Sequence, residues 1–234
     1  MKTVLAFETS SPVLSVALGT RSGKLREARS RGRLQHSENL ISLMDQLLKK
    51  ERMTLAEVDA FAIDRGPGSF TGLRIGFSLL KGFLSVRKRP CYGALSLDMI
   101  SHGIAFPEGS RLGVVVDARR ESIYSRFYQR RKGEWKAERK LELLSFPELT
   151  RAITVGTTLV GDALIRYQGP LTEAFGKGLR FLEEDEASPS ARTLVEWFQA
   201  GDPRLSRLEK AQELVPLYFR ASEAEEKRKK AKTR

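Results

Sequence analysis

Asp64-Arg65-Gly66-Pro67-Gly68-Ser69-Phe70-Thr71-Gly72 carries the residue types best suited to chemistry in this chain. Two glycines around a proline force a sharp turn. Ser69 or Thr71 can then accept the free N–H groups of a following helix. Backbone N–H groups at such a turn favour negative charge, so Gly66, Gly68, Ser69 and Thr71 are candidate contacts for an anion or a nucleotide. A strand-to-helix connection that needs glycine only for its backbone angles fits the same residues. The spacing is not a P-loop, which ends in Gly-Lys-Ser/Thr. Nor is it a dinucleotide fingerprint, which needs glycine where Thr71 stands. Metal chemistry has little to draw on: the chain holds two histidines, His36 and His102, and one cysteine, Cys91. No histidine pair has the three-to-five spacing of a zinc site. No Ser/His/Asp set stands out. Asp117 closes an apolar run and could be catalytic, but the Asp-Ala-Arg-Arg that it opens also suits a turn.

Elements that must position these residues follow from the apolar pattern. Val58 to Ile63 is a short apolar run and reads as a buried strand; Leu73 to Val86 has helical spacing. Val4 to Phe7, Leu14 to Leu18 and Leu25 to Ser30 read as three opening strands, with Glu8-Thr9-Ser10-Ser11-Pro12 turning the first into the second. Leu40, Leu43, Met44, Leu47 and Leu48 fall on one side of a helix that Ser37 can cap and that runs to Lys50. Arg89-Pro90-Cys91-Tyr92-Gly93, leading into Leu95 to Ile100, is read as a short strand and then a helix. Pro107-Glu108-Gly109 suggests a boundary between an N-terminal unit, 1–106, and a C-terminal unit, 107–222. In the second unit, Leu112–Val116, Ser122–Tyr128, Trp135–Leu144, Thr157–Asp162 and Leu179–Leu182 read as strands. Ser145-Phe146-Pro147-Glu148 begins a short helix, and Ser190 caps another that reaches Phe198.

Arg65-Gly66-Pro67-Gly68-Ser69-Phe70-Thr71-Gly72-Leu73-Arg74-Ile75-Gly76 resembles the signature of the TsaB family, bacterial subunits of the machinery that makes threonylcarbamoyladenosine in tRNA. His36-Ser37-Glu38, Asp117-Ala118-Arg119-Arg120 and Pro216-Leu217-Tyr218-Phe219-Arg220 resemble further family stretches, with Phe219 in place of a leucine. The resemblance covers most of residues 3–220. It implies an actin/Hsp70-like (ASKHA) α/β fold with two subdomains, each a mixed sheet with flanking helices. In that superfamily the first hairpin wraps phosphate and usually carries an acidic residue followed by glycine. Here Glu8 is followed by Thr9 and Ser10, so these two are the remaining candidate nucleotide contacts on that hairpin. The resemblance also implies a non-catalytic partner and activator of a TsaD-type catalytic subunit, with a TsaE-type ATPase as third member and tRNA as acceptor. ATP and a metal ion would belong to the TsaD-type partner, with no cofactor of this chain's own. An ATP-dependent kinase of the superfamily would need a glycine-bearing phosphate hairpin and a Gly-Gly adenosine motif. A metallopeptidase-like hydrolase would need the missing histidine pair.

Forty-one Lys and Arg against 29 Asp and Glu give the 234-residue chain a net charge of +12. A basic body suits an RNA-facing assembly and equally a surface kept soluble. The charged end, 223–234, reads as a disordered tail, either a solvated end or an RNA arm. Hydrophobic residues at 41% support a real core. A single thiol fits a reducing compartment. No apolar run approaches the ~18 residues of a membrane span, and the apolar stretch before Glu8 is too short for a signal peptide. The expected location is cytoplasmic, away from membranes.

Placed on a wheel, both long helices have broad apolar arcs, wider than the ~100° that a single core needs. The resemblance implies pairing through these helices, with the catalytic subunit or with a second copy. The expected interface is Ile41, Met44, Leu47, Leu48, Gly72, Ile75, Gly76, Leu79, Leu80 and Phe83, with Gly72 and Gly76 admitting a close helix.

Overall fold

The computed structural model describes residues 2–31, 36–183, 188–209 and 213–217. The chain opens with an antiparallel meander, β1 (Val4–Glu8), β2 (Val13–Gly19) and β3 (Leu25–Arg31). Helix α1 (His36–Lys50) leads to β4 (Ala60–Asp64), which lies parallel to β1. Helix α2 (Phe70–Val86) leads to β5 (Cys91–Ala94), parallel to β4, and then to α3 (Ser96–His102). A second meander follows: β6 (Arg111–Asp117), β7 (Ser122–Arg131), β8 (Glu134–Ala137) and β9 (Glu142–Ser145). Helix α4 (Phe146–Ala152), β10 (Thr158–Val160), α5 (Leu164–Phe175) and β11 (Arg180–Phe181) complete that half. Helix α6 (Ala191–Ala200) and β12 (Ser206–Arg207) come last.

The first sheet runs β12-β5-β4-β1-β2-β3 and the second β11-β10-β6-β7-β8, with β9 also on β7. In each, a three-strand meander is extended by two parallel strands laid on the outer side of its first strand. The two halves therefore repeat one topology, giving the two α/β subdomains of the actin/Hsp70-like fold.

Burial on both faces explains why β1, Val-Leu-Ala-Phe-Glu, is apolar almost throughout. Leu5 and Phe7 point to a core shared with α1 and α2, together with Leu14, Val16, Leu18 and Ile63. Val4 and Ala6 point the other way, with Ala17, Ala60 and Ala62, to α6. Small side chains on that face let α6 lie close to the sheet. Phe7, Phe61 and Phe83 stack at the centre of the first core, with ring centroids 5.6–6.3 Å apart.

Three features differ from the sequence reading. The last helix and strand of the 107–222 unit belong to the first sheet: Leu194, Val195 and Trp197 of α6 are buried on its small-residue face, and β12 pairs with β5. The reason is that the face of β1 and β4 opposite α1 and α2 also needs cover. Trp135–Leu144 is two strands, because β8 pairs with Tyr128–Arg131 and β9 with Ser122–Ser125 of the long β7. Helix α5 escapes the pattern because Gly169-Pro170 interrupts it, yet Leu164, Tyr167 and Leu171 bury one continuous side. The chain end does return to the body as far as it is described, where the Leu217 N–H donates to the Arg65 carbonyl at 2.9 Å. Tyr218 to Arg220, the tail 223–234 and the side chains of His36 and Ser37 lie outside the described residues.

Candidate functional site

At the carboxyl ends of β1 and β4, Glu8 and Asp64 are fully buried side by side. Ser10 Oγ lies 2.8 Å from Glu8 Oε1 and 2.5 Å from Asp64 Oδ2. A hydroxyl has one proton to donate, so it cannot satisfy two carboxylates. Burial pushes Glu8 up to about 8, helped by the charge of Asp64, and burial lifts Asp64 to about 6. Burial therefore favours the neutral, protonated form of Glu8. The two groups and Ser10 share one proton more than two free carboxylates would hold.

Backbone donors around this pair are turned into the protein. The Ser10 N–H donates to Glu8 at 2.7 Å and the Ser11 N–H at 3.0 Å. Gly66 N–H donates to Asp64 at 2.6 Å, and Ser69 N–H to the Ser10 carbonyl at 2.7 Å. Ser69 Oγ caps α2 by accepting from the Gly72 N–H at 3.2 Å. Gly68 is glycine because a Cβ there would stand 2.4 Å from the Ser10 carbonyl oxygen. Of the expected anion contacts, Ser10, Gly66, Gly68 and Ser69 are thus brought together, but the N–H groups of Ser10, Gly66 and Ser69 are already bonded to Glu8, Asp64 and the Ser10 carbonyl. Thr9 is buried against α2, and Thr71 faces outward on the other side of that helix. The cleft above, where Ser10, Ser11 and Gly68 face Val116 and Asp162 of the second subdomain, encloses about 40 Å³, room for water-sized occupants. Four N–H groups that could face a phosphate here, those of Ser10, Ser11, Gly66 and Ser69, are bonded within the protein. Among the described residues there is no group of three or more His, Cys, Asp or Glu placed to hold a metal. Asp117 accepts from the Arg119 N–H at 2.8 Å and braces its turn.

A larger feature lies between α1 and α2 on the outside. A groove of about 490 Å³ is lined by Leu40, Ile41, Phe70, Arg74, Ile75 and Leu79, among others. Ile41 is 50% exposed and Phe70 41%, with the Arg74 guanidinium 3.9 Å over the Phe70 ring. Of the expected interface, Ile41, Ile75 and Leu79 line this groove. Met44, Leu47, Leu48 and Leu80 are buried in this chain's own core, and Phe83 stacks on Phe7 and Phe61. Gly72 and Gly76 admit no neighbouring helix. They admit Thr9, whose carbonyl oxygen would lie 2.0 Å from a Cβ at position 72 and whose Oγ1 would lie 2.7 Å from one at 76. Phe70 and Arg74 were missed as groove residues. The turn signal drew attention to the glycines beside them, although an aromatic and a cation four apart at a helix start also mark a recognition face.

A sequence model of the family described as "TsaD: tRNA N6-adenosine threonylcarbamoyltransferase" matches residues 31–151. The "tRNA threonylcarbamoyladenosine biosynthesis protein TsaB" of Escherichia coli (strain K12) is 29% identical over 165 residues, 66% of this chain and 71% of that protein. The protein of the same name from Haemophilus influenzae is 30% identical over 123 residues, about half of each chain (52%). In structure, a Pseudomonas aeruginosa protein described as having "similarity to peptidase YEAZ" superposes with a TM-score of 0.74 at 24% identity, covering 94% of this chain and all of the other. That likeness concerns the fold.

Proposed function

This chain belongs to the TsaB family, and on that premise we propose that it is a subunit of the machinery that places threonylcarbamoyl on the adenosine beside the tRNA anticodon. Its part is to bind and activate a TsaD-type catalytic subunit, with a TsaE-type ATPase joining the pair. The observation that carries this reading is the α1/α2 groove, which exposes Ile41 and Phe70 beside half-buried Ile75 and Leu79. Apolar side chains held open on two packed helices are what a partner's helices would cover. A second copy of this chain could use the same surface, and the two uses would compete. The inward-turned donors at Glu8 to Ser11 support a division in which ATP and metal belong to the TsaD-type partner. They leave the kinase reading fewer free donors for a phosphate.

Copurification with a TsaD-type protein, followed by reconstituted tRNA modification with and without this chain, tests the role. Ile41→Asp and Leu79→Asp place a charge in the groove, where dry burial against a partner would cost several kcal/mol. The expected product is a folded protein that no longer copurifies and no longer supports modification. A folded double variant that still copurifies would put the partner surface elsewhere.

A further inference from the structure

The tip of the β7–β8 hairpin and the strand after it form a strongly basic stretch. Positions 129–140 hold six basic and two acidic side chains, a net +4 in twelve residues, against +12 for all 234. Arg131, Lys132, Lys136, Arg139 and Lys140 are exposed. The two acids are already engaged, Glu134 with Lys136 and Glu138 with Arg111 at 4.0 Å. Glu108, under the turn, accepts the N–H groups of Lys132 at 2.5 Å and Gly133 at 3.1 Å. The side chains of Lys132, Arg139 and Lys140 have no ion pair among the described residues.

We propose that this strip, from the tip at Lys132 along edge strand β8 to Lys140, binds the phosphate backbone of RNA. Its length is roughly 20 Å at strand spacing, enough for several phosphates. The blander account is that edge lysines block pairing with other strands. That covers Lys136 within β8. It does not cover Arg139 and Lys140 beyond the strand, nor Lys132, which sits at φ 53 in a turn where asparagine or glycine is preferred. A protein-binding surface would offer an aromatic anchor, and a membrane-binding one an apolar wedge. The one aromatic of positions 129–140, Trp135, is buried, and its indole N–H donates to the Ile104 carbonyl at 2.8 Å. What remains outside is positive charge, which contacts phosphate without reading sequence.

The inference rests on the tRNA-modification reading for the identity of the RNA, and its test is independent of the partner. The full chain is titrated with an unmodified tRNA transcript over a series of salt concentrations, in parallel with K132A/R139A/K140A. A charge-matched control, K81A/K88A/K177A, removes three exposed lysines elsewhere. Each lost phosphate contact lowers the log–log salt slope by about 0.9. The hairpin variant is therefore expected to bind at least about tenfold more weakly at low salt, with a slope shallower by about 2–3. The control should change neither as much. Unfolding curves that match the parent exclude misfolding of these surface variants. Equal losses in both variants would mean diffuse charge and overturn the proposal, as would an unchanged hairpin variant. Copurification with the TsaD-type protein is scored separately, so failure of the groove reading leaves this result interpretable.

Discussion

Glu8 ends the first strand of the first sheet, and Asp64 ends the parallel strand beside it. Asp117 ends the first strand of the second sheet, and Asp162 follows the parallel strand beside that one. The repeated topology thus brings two carboxylates together at the strand ends of each subdomain. In the first, both are sealed from water, bridged by Ser10 and holding an extra proton. In the second, Asp162 accepts from the Asp117 N–H at 2.8 Å, while Asp117 stays 26% exposed beside Arg119. Topology places the acids; what covers them decides their chemistry. The cover in the first subdomain is the hairpin at Thr9 and Ser10, pressed onto the glycines of α2.

The largest effect expected from breaking that cover is at Gly72. Alanine there drives a methyl to 2.0 Å from the Thr9 carbonyl oxygen, and a backbone clash of that kind should cost about 3 kcal/mol or more. Gly161, at φ 122, is its counterpart in the second subdomain: a Cβ there would stand 2.0 Å from the Val115 carbonyl oxygen, and alanine should cost as much. Gly82→Ala, on the same helix as Gly72 with nothing within 4 Å, should gain up to about 1 kcal/mol from helix propensity. Urea unfolding of the three variants gives the comparison. A tolerated Gly72→Ala would mean that the hairpin is not pressed onto α2.

Next in size is removal of the bridging hydroxyl. Ser10→Ala leaves two buried carboxyls without their shared partner and should cost about 1–3 kcal/mol. Asp117→Ala, at a partly exposed site, should cost no more than about 1 kcal/mol. Equal losses in chemical denaturation would contradict the contrast between the subdomains.

The pH dependence sharpens the same contrast. Glu8 and Asp64 are raised in the folded protein, to about 8 and about 6, from 4.5 and 3.8. Between those limits the folded state binds more protons than the unfolded one. Stability from this pair is therefore full below the unfolded values and is lost as pH rises through 6 to 8. The urea midpoint should fall across that window in the parent chain. Glu8→Gln keeps the neutral form at all pH and should flatten the fall. The same slope in both would assign the titration to other groups.

The smallest effect is expected at Arg119, whose guanidinium lies 3.8 Å from Asp117 and is largely exposed. Arg119→Ala should shift stability by no more than about 0.5 kcal/mol, read as a change in thermal midpoint. A larger loss would show that the second pair depends on its arginine as the first depends on Ser10.

Much of the fold is legible along the chain. The three opening strands, both long helices, the Ser69 and Ser190 caps and the Ser145/Glu148 helix start all follow from local pattern, and all are present. The site was less legible. Glu8 reads as one more polar residue of a hairpin, since nothing near it in sequence announces Asp64, 56 positions away. The glycines of the turn signal close approach correctly, but the object approaching is Thr9 and not another helix.

By itself the sequence determined the family, the alternation of strands and helices, and which side of each helix is apolar, because these depend on residues a few positions apart. Only the tertiary structure decided which apolar residues remain open. Leu40, Leu43, Met44, Leu47 and Leu48 make one stripe on α1, and the first sheet covers it, leaving Ile41 outside. On α2 the sheet takes Leu73, Phe77 and Leu80, and Ile75 and Leu79 are left to the groove. Helical periodicity tells how wide an apolar arc is; which part of it is covered depends on neighbours distant in sequence. The same holds for charge, since a carboxylate's proton affinity is set by its burial, and burial is a property of the assembled core.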